Sequence, residues 1–157
     1  MNSAQLHLLS NHLPLTIPFI GIIILMVSIF VKSPVVKRTG YFILVLGGLF
    51  TIPTFLSGEG AEEIVEHMGK SHDLIHEHEE SAETFAYLNY VLALLSALAL
   101  WFNWKKADWE KYLFVLVLIV SFVVAGLALC TGESGGEINH PEIHSPEVKK
   151  IGKYKDW

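Results

Sequence analysis

Along the chain, charge disappears four times for about the length of a membrane helix: from Leu13 to Val31, Thr39 to Gly58, Thr84 to Trp104, and Tyr112 to Gly132. Each stretch runs about 19 to 21 residues, which at 1.5 Å per residue covers the roughly 30 Å of a bilayer's hydrocarbon. One such stretch could be a core helix, but four of matching length read as four membrane spans. Between the second and third, the period changes from uniformly apolar to amphipathic. Ala61, Ile64, Val65 and Met68 share one side of a helical wheel, opposite Glu59, Glu62, Glu63, Glu66 and His67. After a break at Gly69, Leu74, Ile75, Ala82, Phe85 and Ala86 make a second apolar face. His78 falls within that face, while His72, His76, Glu80 and Glu83 lie opposite it and Glu79 at its border. The pattern predicts an all-α, four-helix transmembrane bundle with an extra amphipathic outer helix between spans two and three. Residues 1–143 would form one membrane domain and residues 144–157 a polar tail.

Composition agrees. Apolar residues make up 52% of the chain and charged ones only 17%, and mean hydropathy is +0.44, against the less apolar and more charged norm for a soluble domain. No Lys or Arg precedes the first span, and Pro14 and Pro18 interrupt its start, so it does not read as a cleaved leader. Cys130 is the single cysteine, which excludes an internal disulfide, a CxxCH haem attachment and a cysteine-rich zinc site. Its place near the end of span four predicts a small buried hydrophobe.

Charge then sorts the connections. Lys32, Lys37 and Arg38 separate spans one and two, and Lys105, Lys106 and Lys111 separate spans three and four. Residues 59–83 carry nine acids against the single base Lys70. Short basic loops stay in the cytoplasm, so both termini and the acidic segment are expected to face outward from a bacterial inner membrane. All eight histidines, including His7, His12, His140 and His144, then fall on the outer side.

Those histidines are the candidate chemistry. His72 and His76 have the i, i+4 spacing of a chelating pair, a pattern that exposed helices also carry without any ligand. His78 points inward, where an imidazole must be hydrogen-bonded or ligate something. "NHLPLTIPFIG", "TIPTFLSGEGAEE", "HEESA" and "GGEINHPEI" resemble the landmarks of an uncharacterised family of small four-span bacterial membrane proteins, a domain-of-unknown-function group. The resemblance covers roughly residues 6 to 143, and the matching residues are His12, Glu59, Glu62, Glu63, His78, Glu79, His140 and Glu142. Relatives often have a basic residue just before the tail histidine, where this chain has Asn139. The resemblance implies work linked to haem or redox partners, since relatives occur fused to cytochrome c or Rieske-type domains. It supplies no reaction.

Two functions follow as expectations. The first is a site for haem b or a transition metal, iron or zinc, at the outer helix ends. His12, His78 and His140 would be its ligands, with Glu62, Glu63 and Glu79 as further metal ligands or supporting groups. Electrons would pass to cytochrome c, a quinone or another membrane redox subunit. The second is a non-enzymatic subunit, alone or in an oligomer, whose acidic outer helix docks a partner. A transporter is disfavoured because no ionisable residue lies mid-span, a hydrolase because Ser57 and Ser134 lack a nucleophile elbow, and nucleic acid because the polar segments are acidic or balanced.

Overall fold

The computed structural model describes residues 2–140 and residue 142; the polar tail 144–157 and its His144 lie outside the described residues. The described residues form five helices and no strand: α1 (Ser3–Ser10), α2 (His12–Val31), α3 (Pro34–His67), α4 (His72–Trp104) and α5 (Glu110–Asn139). The last four each contain one of the apolar stretches and are long and apolar enough to cross a membrane. All four exceed what the bilayer requires or fill it. The 34 residues of α3 extend about 51 Å, leaving roughly 20 Å beyond the hydrocarbon.

The core follows a regular repeat. On α4 the buried residues Phe85, Asn89, Leu92, Ser96, Ala99 and Asn103 recur in alternating steps of four and three. Val117, Ser121, Val124, Ala128 and Thr131 do the same on α5. A stripe with a mean step of 3.5 residues favours shallow, left-handed crossing, as in other four-helix bundles. Close approach comes from small residues: Gly21 lies under Leu44, Gly40 under Leu25, Gly47 under Ile17, and Gly48 against Ala93. Leu25, Tyr41, Leu44, Leu92, Val117 and Val124 fill the centre. On the other face Phe30, Phe42, Leu94, Ile119 and Phe122 are exposed, as side chains presented to lipid would be.

Two sequence expectations change, and several helix ends lie beyond where glycines in isolation would place them. The amphipathic segment is helical, but it is not a separate helix. Span two does not exit at Ser57 and Gly58; α3 continues to His67, turns over Met68 to Ser71 with Gly69 in the left-handed region (φ +79°), and α4 begins at His72. Ser57 is buried, its hydroxyl donating to the Thr54 carbonyl at 3.0 Å, so it continues the helix rather than ending it. The glycines at 132, 135 and 136 likewise lie within α5, and the chain does not turn until His140. Cys130 is exposed, on the bundle's outside and not in its core. Finally, α1 was unforeseen. It is capped by Asn2, which accepts from the Gln5 amide, while the Gln5 side chain returns the bond to the Asn2 amide.

Candidate functional site: an imidazole pair at the acidic end

Helix α1 runs back along the polar extension of α3, and this brings His7 into the bundle mouth. Its ring lies over Gly58, and Nδ1 is 3.0 Å from the Thr54 carbonyl. A carbonyl only accepts, so Nδ1 donates, and Nε2 has no hydrogen bond among the described residues.

His78 enters from α4, six residues before the apolar stretch of that helix begins. It is half-buried, as its place on the apolar face requires. Nδ1 stands 2.9 Å from Ser134 Oγ, and that hydroxyl donates its single proton to the Thr131 carbonyl at 3.1 Å. The histidine is therefore the donor, and Nε2 is left with a bare lone pair. Gly135 makes the fit: a Cβ there would come 2.9 Å from the ring's Cε1. One turn below, Ser81 Oγ and Thr131 Oγ1 are 2.9 Å apart and Thr131 donates to the Ser81 carbonyl at 3.2 Å, tying α4 to α5.

The two rings interact. Burial holds His78 below the usual imidazole range, a positive charge on nearby His7 pushes it further down, and the Thr131 carbonyl pulls it partly back. His78 is thus kept neutral, the form that ligates. Both imidazoles have Nδ1 fixed by a protein oxygen and Nε2 unspent. That is the arrangement by which proteins orient histidine ligands.

The other expected residues are spread around this pair. His12, on the first turn of α2, is exposed. His140 caps α5, exposed, with Nδ1 3.0 Å from Glu142 Oε1. The Glu142 carboxyl is lowered by a backbone hydrogen bond first and by His140 second, and Lys70 at the α3–α4 turn adds to it. Glu62, half-buried, and Glu79, exposed, lie on the two arms of the α3–α4 hairpin. Burial and then the charges of Glu79 and Glu66 raise the Glu62 carboxyl, with His72 and His76 opposing. Glu63 is exposed. His72 clasps Glu66 across the turn at 2.6 Å, and His76 stands 3.6 Å from both Glu79 and Glu80.

Among the described residues, no three His, Cys, Asp or Glu side chains converge closely enough to hold a metal ion. A protein-held zinc draws on three or four such ligands, so the donor set does not fit it. A haem iron would need only one or two imidazoles from the protein, and two oriented Nε2 atoms fit that demand in kind. His7 was missed in the sequence because a lone histidine ahead of the first span has no visible partner. The usable signal was the Asn2/Gln5 capping box, which predicts α1 and hence a structured place for it.

Residues 4–141 match the family model described as "Predicted membrane protein (DUF2231)", a family of unknown function. No curated protein and no solved structure matches the chain.

Proposed function

Because the chain belongs to this family of predicted membrane proteins, which assigns it no reaction, we propose a function from its own residues: a haem-binding membrane protein with an accessory redox role. The single supporting observation is the shared state of His7 and His78, each with Nδ1 committed and Nε2 available. When bound, a haem supplies one-electron chemistry. The chain's part is to hold the two rings oriented and to keep His78 in its neutral form. Ser134 and the Thr131 carbonyl fix one ring, the Thr54 carbonyl the other, and packing against Gly135 limits rotation of His78. His12 and His140, exposed at the same end, would be the alternative ligands.

By the charge of its loops, the acidic end faces out of the bacterial inner membrane. Glu59, Glu63, Glu66, Asp73 and Glu77 are exposed on the hairpin that projects there, a surface that suits a basic soluble carrier such as a cytochrome c. A quinone is the membrane-side alternative.

The test is a visible spectrum and metal analysis of detergent-purified protein produced with ample haem. The expected result is a Soret band at about one haem per chain, lost in His7→Ala and His78→Ala and kept in His72→Ala and His76→Ala. Loss in His12→Ala or His140→Ala instead would move the ligand assignment. Protein with neither a Soret band nor stoichiometric metal would overturn the reading. The exposed acidic hairpin then leaves the second function, a partner-docking subunit, in which the same histidine variants impair assembly.

A further inference from the structure

The opposite end of the bundle contains a cleft that the haem proposal does not use. It has a volume of about 350 Å³ and is lined by Pro34, Arg38, Asn103, Lys106, Ala107 and Glu110. It opens between the start of α3 and the connection from α4 to α5.

The charges around it are not distributed as simple ion pairing would predict. Glu110 and Arg38 line the same cleft, yet they are not each other's partners. Glu110 takes Lys37 at 3.2 Å and the Tyr41 hydroxyl at 2.8 Å. Arg38 instead donates from Nε to the Asn103 side-chain oxygen at 2.7 Å and from Nη2 to the Asn103 carbonyl at 3.4 Å. A neutral amide fixes the guanidinium without cancelling its charge, and N–H donors on Nη1 and Nη2 are left without a protein partner among the described residues. Lys106 stands beside it, on a residue held in the left-handed region (φ 52°) at the end of α4. The N-terminus of α3, at Pro34, adds the positive end of a long helix dipole. A planar donor fork, an ammonium and a helix start around one cleft are what binds a phosphate.

The level of the cleft says where such a phosphate comes from. Trp101, Trp104, Trp109 and Tyr112 are all exposed around the same end, and exposed aromatic residues of this kind mark the headgroup layer of a bilayer. We propose that this cleft is a binding site for the phosphate of an anionic lipid headgroup, with Arg38 as its central donor and Lys106 as the second. The competing source of the same chemistry is free phosphate from solution.

The test uses the full-length protein, delipidated in detergent, with melting temperature and lipid retention in native mass spectrometry as readouts. Phosphatidylglycerol at saturation should raise the melting temperature by roughly 5 °C, and phosphatidylcholine should not. Arg38→Gln should weaken retention of phosphatidylglycerol on the order of tenfold, with Arg38→Lys recovering part of it because the charge returns without the fork. Lys106 is exposed, so Lys106→Gln gives a second reading if Arg38→Gln fails to fold. A shift reproduced by inorganic phosphate and lost in Arg38→Gln would keep the phosphate site and overturn the lipid source. Equal shifts with both lipids, or a phosphatidylglycerol shift that survives Arg38→Gln and Lys106→Gln, would overturn the proposal.

Discussion

At the basic end of the bundle, the charged groups nearest the core have fixed protein partners. Glu110 is held between Lys37 and Tyr41, Arg38 by Asn103, and Lys37 also lies over the Phe114 ring at 4.6 Å. At the acidic end two half-buried imidazoles make hydrogen bonds through only one nitrogen each. His7 and His78 are anchored through Nδ1, and their other nitrogens have no such bond among the described residues. The contrast separates two uses of polar groups near a membrane surface. One end locks helices together by tying charged groups to protein partners; the other presents oriented imidazoles with one nitrogen each left over.

The largest effect should come from the locked end. Glu110 has 13% of its side chain exposed and Lys37 24%, so Glu110→Ala leaves an ammonium and a phenol partly buried without their acceptor. A loss of about 3 kcal/mol is expected, read as a fall in detergent melting temperature, and a neutral result would show that this pairing is not what holds the basic end.

Gly135→Ala should be smaller and confined to the other end. A methyl 2.9 Å from the His78 ring must displace it, at about 1–2 kcal/mol, and any bound haem should show an altered spectrum. Unchanged stability and spectrum would mean that the ring's position is not set by this contact.

The smallest effect is in pH, where two histidines of one helix should act with opposite sign. His78 is lowered by burial and by His7, so the unfolded chain takes up its proton more readily. Its penalty is absent above the ordinary imidazole value near 6.5 and grows as pH falls below it. His72 is raised, by its hydrogen bond to Glu66 first and the charge of Glu66 second. Its contribution is complete below about pH 6.5 and is lost as pH rises through its higher folded value. Amide protection factors across Gly69, which divide out the intrinsic base-catalysed exchange rate, should therefore fall toward alkaline pH in the parent chain and lose that trend in Glu66→Gln, whereas acid should loosen the contact between His78 and Ser134. The same pH response in both places would break the comparison.

The inward position of His78 is legible in the sequence, because Leu74, Ala82 and Phe85 place it on an apolar face. Leu74 and Ala82 are half-buried and Phe85 is buried, while His72, His76, Glu80 and Glu83 are exposed. Its companion was not readable. His7 lies 71 positions away in sequence, on a short helix that meets the site only by packing on α3.

What the chain's order of residues determined alone was the set of spans and their buried faces, because hydrocarbon imposes length and a helical repeat imposes which side is apolar. Helix ends were less determined: Gly58, Gly60 and Gly132 are breakers in isolation, yet they stay helical where neighbouring helices support them on the bundle. Which polar groups meet was decided only in three dimensions. Arg38 bonds Asn103 and not Glu110, His7 bonds the Thr54 carbonyl and His78 bonds Ser134, because hydrogen bonds depend on ångström distances between helices that no spacing along one helix encodes.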